Sequence, residues 1–248
     1  MTGRDGAIEK PGFVGRGLRG FADTKAWVFD LDNTLYPADC NLFAQVDQRM
    51  TAFIAEHIGI PATYARHLQK SYYRQYGTTL AGLMKIHGMK PDHFLDYVHD
   101  IDLTPVPEHP ELAEAIAALP GRKLIFTAGS RKHAENVAGK LGILHLFEDI
   151  MDVVATDFVP KADADAYDRL ISRHGVIGQE SAMFEDMPHN LEPAHVIGMT
   201  TVLVHSNYPD HPVQQHMRRW TEAPEYIHHV TTDLQGFLEQ VADRLRQV

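Results

Sequence analysis

Trp27-Val28-Phe29-Asp30-Leu31-Asp32-Asn33-Thr34-Leu35-Tyr36 starts with three apolar residues that run straight into two carboxylates. A fully buried strand cannot hold two unpaired carboxylates. The pattern therefore predicts an interior strand whose carboxyl end opens into a loop, with Asp30 and Asp32 at its mouth. Side chains two apart on a strand leave the same face, so both carboxylates can address one small volume. Carboxylates in one volume repel unless a cation or a shared proton separates them, which is how metal sites and acid/base pairs are made.

Upstream, residues 1–23 are rich in Gly and Arg with little periodicity and read as a loose tail. Gly15-Arg16-Gly17-Leu18-Arg19-Gly20 fits G-x-G-x-x-G, but a dinucleotide site needs a strand before the glycines, and here the strand comes after. Downstream of Tyr36-Pro37 the spacing turns helical. Phe43, Val46, Met50, Phe53, Ile54 and His57 share one face, and Gly59 with Pro61 supplies a stop and a new start. Further helical pieces follow near 62–75, 79–87 and 91–101. With no convincing strand among them, residues 37–106 read as a helical cap inserted into a core formed by 24–36 and 107–248.

From Pro107 helices and strands alternate. Leu112, Ile116 and Leu119 line a helix closed by Pro120-Gly121, and Lys123-Leu124-Ile125-Phe126-Thr127 is a short apolar strand. A helix with Ala134, Val137, Ala138 and Leu141 on one side ends at Gly142, a strand is expected over 150–155, and a helix through Tyr167, Leu170 and Ile171 ends at Gly175. Ser181-Ala182-Met183-Phe184 then runs into Glu185-Asp186, helix 188–197 ends at Gly198, and Thr201-Val202-Leu203-Val204 is another buried strand. Residues 206–230 read as irregular connection before a last amphipathic helix through Leu234, Phe237, Leu238, Val241 and Leu245. The βα alternation predicts an α/β fold, a parallel sheet with helices on both faces and ligands at the carboxyl ends of its strands.

In such a sheet Asp30, Asp32, Thr127, Glu185 and Asp186 all end strands and face one crevice. Several carboxylates around one point call for a hard divalent cation, and an oxygen-rich set without soft ligands suits Mg2+ better than Zn2+. Thr127 offers a hydroxyl, the amides of Ala128-Gly129-Ser130 at a helix start form an anion cradle, and Lys161 adds a mobile point charge. Cation, lysine and oriented amides together describe a phosphoryl site.

These residues resemble the haloacid dehalogenase superfamily. Asp30-Leu31-Asp32-Asn33-Thr34 is similar to its first motif, Thr127 to its second, Lys161 to its third, and Glu185-Asp186 with Asn190 to its fourth. The resemblance implies a Rossmann-like three-layer core with a C1-type cap. It also implies Asp30 as nucleophile on phosphorus and Asp32 as acid and then base. The metal would be held by Asp30, the backbone carbonyl of Asp32, Asp186 and possible fourth ligand Glu185. Thr127, Ala128 and Lys161 would bind phosphoryl oxygens, and Asn190 would orient the loop or Lys161. Ala128 stands where the phosphatase branch usually has Asn, Ala162 where Pro is usual, and Glu185 where Asp is more usual. Dehalogenases lack a carboxylate at the position of Asp32, so phosphate monoester hydrolysis is the implied activity.

A finer resemblance, to the pyrimidine 5′-nucleotidase branch, rests on Asn33-Thr34-Leu35-Tyr36-Pro37 and on Ser71 through Leu83. On it Tyr72, Tyr73 and Tyr76 would stack a nucleobase, Gly77 would permit its close approach, and Asn33 would add a substrate contact, with core packing and loop capping as the competing roles. Another small metabolite phosphate, or a weakly catalytic binding protein on the same fold, are the alternatives.

Composition bounds the rest. The chain has 248 residues, 44% hydrophobic and 23% charged, with a formal charge of −10 that disfavours a nucleic-acid polymer as partner. Its single cysteine, Cys40, excludes an intramolecular disulfide and a Cys-cluster zinc site and reads as a small buried hydrophobe. No apolar run has the length of a membrane span, and the expected location is cytoplasmic, with a small-molecule phosphomonoester as partner and the oligomeric state unreadable. The sixteen histidines show no metal spacing on a helix and read as surface or packing residues, and Arg131 reads as a solvated helix end, with an approach to phosphate at the helix start as the alternative.

Overall fold

A computed structural model describes residues 18–206, 217, 220 and 223–247. Six strands, β1 (Ala26–Phe29), β2 (Arg122–Phe126), β3 (Asp149–Met151), β4 (Ser181–Glu185), β5 (Thr200–Val204) and β6 (His229–Thr231), form one sheet in the order β3-β2-β1-β4-β5-β6. Every pair is parallel, and Phe29 of β1 sits opposite Ile125 of β2 and Phe184 of β4. The chain leaves β1 to one side for β2 and β3, then crosses to the other for β4. The carboxyl end of β1 is therefore a topological switch point, where a crevice opens between diverging connections.

Period-two alternation explains why β1 has no polar face. Trp27 and Phe29 pack into a core with Ile125, Phe184 and helices α5 (Pro110–Ala118), α6 (Arg131–Lys140) and α9 (Leu234–Leu245). Val28 faces the other way, with Leu124, Met183 and helices α7 (Ala164–His174) and α8 (Pro188–Val196). Both faces are covered, giving the three layers expected. Each fully buried side chain of this kind contributes roughly 1.5–3 kcal/mol.

Between β1 and β2 the chain forms α1 (Leu42–Ile58), α2 (Ala62–Tyr76), α3 (Thr79–His87) and α4 (Pro91–Val98), the helical cap. They bury a core of their own around Phe53, Ile54, Leu83 and Phe94, joined by Val153 from below. Gly59 and Gly88 end α1 and α3 at positive φ, where a Cβ would strain the backbone. Thr78 starts α3 by accepting the Ala81 N–H at 3.0 Å.

Four expectations change. Of the tail, residues 1–17, including Gly15 and Gly17 of the glycine motif, lie outside the described residues, whereas Leu18–Phe21 form a 3-10 turn. Phe21 there is buried, its ring stacked 5.7 Å from Trp27 and 5.1 Å from His229. The strand expected over 150–155 is only Asp149–Met151, and β6 lies inside the stretch read as irregular. A three-residue edge strand with the sequence His-Val-Thr is too short and too mixed to show a period. Among the described residues no helix is long and apolar enough to cross a membrane. Cys40 is half-buried against the first core, less enclosed than its residue type suggested.

Candidate active site

Asp30 is the first residue after β1, held there by its N–H donating to the Phe184 carbonyl at 2.9 Å. Its carboxylate is buried. Lys161, from the loop before α7, reaches it at 2.6 Å from Oδ1 and also lies 2.5 Å from Glu185 Oε2 and 2.9 Å from the Phe126 carbonyl. The sequence reading made Lys161 a mobile charge. The structure corrects that, because burial at 4% exposure and three oxygen neighbours pin the ammonium in place. Burial works against its charge, but the carboxylates of Asp30 and Glu185 outweigh it and keep Lys161 protonated.

One ammonium cannot neutralise three buried carboxylates. Burial, with the charge of Glu185 added, lifts Asp30 to about 7 despite Lys161. Burial likewise lifts Glu185 to about 7, and burial with the charge of Asp30 lifts Asp186 to about 7. Ligand oxygens of Asp30, Glu185 and Asp186 lie within 4.8 Å of one another, so the cluster can hold a metal ion. Asp30 Oδ2 is buried without a hydrogen-bond partner, as a group awaiting a cation would be. Glu185 is more committed. Its Oε1 accepts the N–H groups of Asp186 and Met187 at 3.1 Å each, and Oε2, itself buried without a hydrogen bond, makes an ion pair with Lys161, so its carboxylate braces the lysine and the loop.

Asp32 looks elsewhere. Its Oδ1 accepts the Tyr36 hydroxyl at 2.6 Å and His133 Nε2 at 2.8 Å. Burial would raise this carboxyl, but the charge of His133 and the two hydrogen bonds prevail and hold it down at about 2. Thr127 is buried beside the site, and its Oγ1 accepts the Gly129 N–H at 3.0 Å. That bond takes the Gly129 amide from the expected anion cradle, and the next amide outside it, the Arg131 N–H, is taken by Asp152 at 2.9 Å. The Arg131 side chain is no solvated helix end, because it donates to Asp149 at 2.7 Å.

A model of the haloacid dehalogenase-like hydrolases matches residues 24–198, which contain all of these groups. The chain belongs to that family. Phosphate metabolism protein 8 of Saccharomyces cerevisiae is 28% identical over 197 residues, covering 72% of this chain and 61% of the yeast protein. The chain thus spans about 61% of that relative's length. Among solved structures, the L-2-haloacid dehalogenase from Xanthobacter autotrophicus superposes with a TM-score of 0.55 at 15% identity, covering 90% of this chain and 98% of the dehalogenase. A HAD phosphatase from Thermococcus onnurineus gives 0.51 at 19% identity, covering 76% of this chain and 90% of that one. At such identities these two structures establish the fold and nothing more.

In this haloacid dehalogenase-like hydrolase, cap and core enclose a cavity of about 320 Å³ lined by Asp30, Asp32, Lys161, Asp186 and, from the cap, Tyr73 and Phe94. Asn33, Ala128 and Asn190 also reach it. Asn33 takes a left-handed conformation with φ 61°, and its amide lies 3.5 Å from Asp186 Oδ2, so it serves the loop and the acidic cluster at once. Asn190 contributes its carbonyl to the Tyr167 hydroxyl at 2.7 Å, and no contact of its side chain with Lys161 is found among the described residues.

The three cap tyrosines separate. Tyr72 is buried in the cap core with its hydroxyl 2.7 Å from His87 Nε2, and Tyr76 packs edge-on against it, so neither lines the cavity. Only Tyr73 does, its hydroxyl 3.3 Å from His189 Nε2 of the core. Gly77 is needed for a protein contact, since a Cβ there would come within 2.6 Å of Pro160. Three groups at the site were missed from sequence. Tyr36 lies one turn after Asp32, His133 is the third residue of α6, and His99 directly follows α4. The available signal was the position of His133 in the first turn of the helix that opens from the Thr127 loop, on the crevice side.

Proposed function

We propose that this hydrolase cleaves small phosphate monoesters through a covalent intermediate on Asp30. The supporting observation is the convergence of Asp30, Lys161 and Asp32 on one cavity beside a buried acidic cluster with an unpartnered oxygen. Asp30 attacks phosphorus, Lys161 and Thr127 bind the phosphoryl oxygens, and Asp32 gives a proton to the leaving oxygen and later takes one from the attacking water. Asp30 Oδ2, Asp186 and the Asp32 carbonyl would hold Mg2+, which when bound supplies the positive charge that Lys161 alone cannot. The cap over residues 37–106 would exclude water from the first step. The name of the yeast relative refers to phosphate metabolism, in agreement with this reading.

Pyrimidine nucleoside 5′-monophosphates are the preferred substrates in this reading. A cavity of about 320 Å³, with one exposed aromatic wall at Tyr73 and apolar cap residues such as Met50 and Leu80, suits a flat base of modest size. Phosphate release from UMP, CMP, dTMP, AMP, GMP, pyridoxal phosphate and sugar phosphates, with magnesium and with chelator, tests both levels. The expected result is release favouring the pyrimidine nucleotides and falling by about 100-fold or more on chelation. Because Asp30 and Asp186 are lifted to about 7, protons compete with the cation below that pH, and the magnesium concentration for half-activity should rise between pH 8 and pH 6. Release favouring a vitamin or sugar phosphate would keep the chemistry and discard the base-binding role of Tyr73. Release indifferent to chelator would discard the metal.

A further inference from the structure

Two imidazoles stand between the cap and Asp32, and the chemistry above gives neither of them a role. We infer that His133 is a positioning residue for Asp32 and that His99 holds the His133 ring from the cap side. The inference rests on the phosphatase reading, in which Asp32 is the acid.

The geometry begins at Asp32 Oδ1, which already accepts two donors, Tyr36 Oη at 2.6 Å and His133 Nε2 at 2.8 Å. A carboxylate accepts and cannot donate, so Nε2 carries the proton of that contact. With Oδ1 occupied twice, a transferable proton has its place on Oδ2. Asp32 lines the cavity whereas Tyr36 and His133 do not, so the clamp turns Oδ1 away and presents Oδ2 to the substrate. As an Asp30 oxygen bonds to phosphorus, the bond from phosphorus to the ester oxygen breaks. The electron pair goes to that oxygen, which takes the proton from Asp32 Oδ2. That proton is taken up with the substrate, because the negative phosphate beside Asp32 opposes the hold of His133 and Tyr36 that keeps the carboxyl low in the free enzyme.

His133 is 1% exposed and acts only through Asp32. Its ring has little freedom. His99 stacks on it at 4.3 Å with 15° between planes, and the Gly129 backbone leaves just enough room, since a Cβ there would lie 3.0 Å from His133 Cδ2. Ser130 Oγ ties the pair together, lying 3.0 Å from His99 Nδ1 and accepting the His133 N–H at 3.3 Å. His99 directly follows the last cap helix, so the ring that fixes His133 is delivered by the cap.

The discriminating measurement is kcat/KM for phenyl phosphate and for 4-nitrophenyl phosphate, with magnesium. This parameter reports the steps through phosphoryl transfer, and the nitrophenolate leaves readily without an acid. His133→Ala is expected to lose about 100-fold on phenyl phosphate and less than about fivefold on 4-nitrophenyl phosphate, with His133→Gln, which keeps a donor, recovering most of the difference. His99→Ala should shift the ratio the same way by about threefold to tenfold, and His99→Phe, which keeps the stack, should stay near the parent. The ratio does not depend on the folded fraction, so an unstable variant still reports. An unchanged ratio in His133→Ala and His133→Gln overturns the inference while leaving the phosphatase reading intact. A parent inactive on both esters overturns that reading and the inference with it.

Discussion

Asp30→Asn is expected to lose phosphate release by about 10⁴-fold or more while remaining folded. The amide is nearly isosteric and its oxygen can still accept from Lys161, which lies 2.6 Å from Oδ1, but it is too weak a nucleophile to take the phosphoryl group. Stability should not fall, because the substitution removes one of three carboxylates that share a single ammonium in a buried cluster. Phosphate release and thermal unfolding of parent and variant, measured side by side, separate the two effects. An active parent with an inactive, folded variant removes the alternative of a binding protein on the same fold. A variant retaining more than about a hundredth of the parent's rate would show that the attacking group is another one.

Lys161→Met should be the most damaging substitution outside the nucleophile, in activity and stability together. The methionine fills the stem of the lysine but leaves Asp30 and Glu185 buried without their shared cation, for which a cost of about 3–5 kcal/mol is expected at pH 8. The sign of the pH dependence follows from the carboxyls. In the folded state Asp30 and Glu185 are lifted to about 7, above the range near 4 of the unfolded chain, so the folded state binds more protons between those values. Stability from these groups is therefore present at low pH and lost as pH rises through about 7. Loss of Lys161 steepens the decline, and urea unfolding should show a smaller defect at pH 5 than at pH 8. Equal stability of parent and variant at pH 8 would mean that the ion pairs do not hold the loop, and that Lys161 serves the substrate alone.

Much of the fold was legible because its strands follow a simple physical rule. Val28 and Trp27 are both apolar since helices cover both sheet faces, and a buried strand reads as a continuous apolar run ending in the first polar residues of the crevice. That rule placed Asp30, Thr127, Glu185 and Asp186 together, and left-handed glycines such as Gly59, Gly88 and Gly175 marked the helix ends. What escaped was set by tertiary contact. Nothing in Tyr72-Tyr73-x-x-Tyr76 says which ring meets the cavity, because all three lie on one helix, and it is tertiary contact with Gly82 and His87 that holds Tyr72 inward. His133 looked like one of sixteen unremarked histidines until α6 brought it against Asp32 from 101 positions away. Lys161 was expected beside Asp30, where the structure places it, but its confinement depends on Phe126 and Glu185, which come from two different strands.

The central claim is that Asp30 carries the phosphoryl group between the two half-reactions, and rapid acid quenching tests it directly. Enzyme mixed with magnesium and phosphorus-labelled UMP, quenched during turnover and digested, should yield the label on the peptide containing Asp30, with none on protein from Asp30→Asn. Label on another residue, or full turnover with no labelled protein at any quench time, would contradict the account and point to direct attack by water.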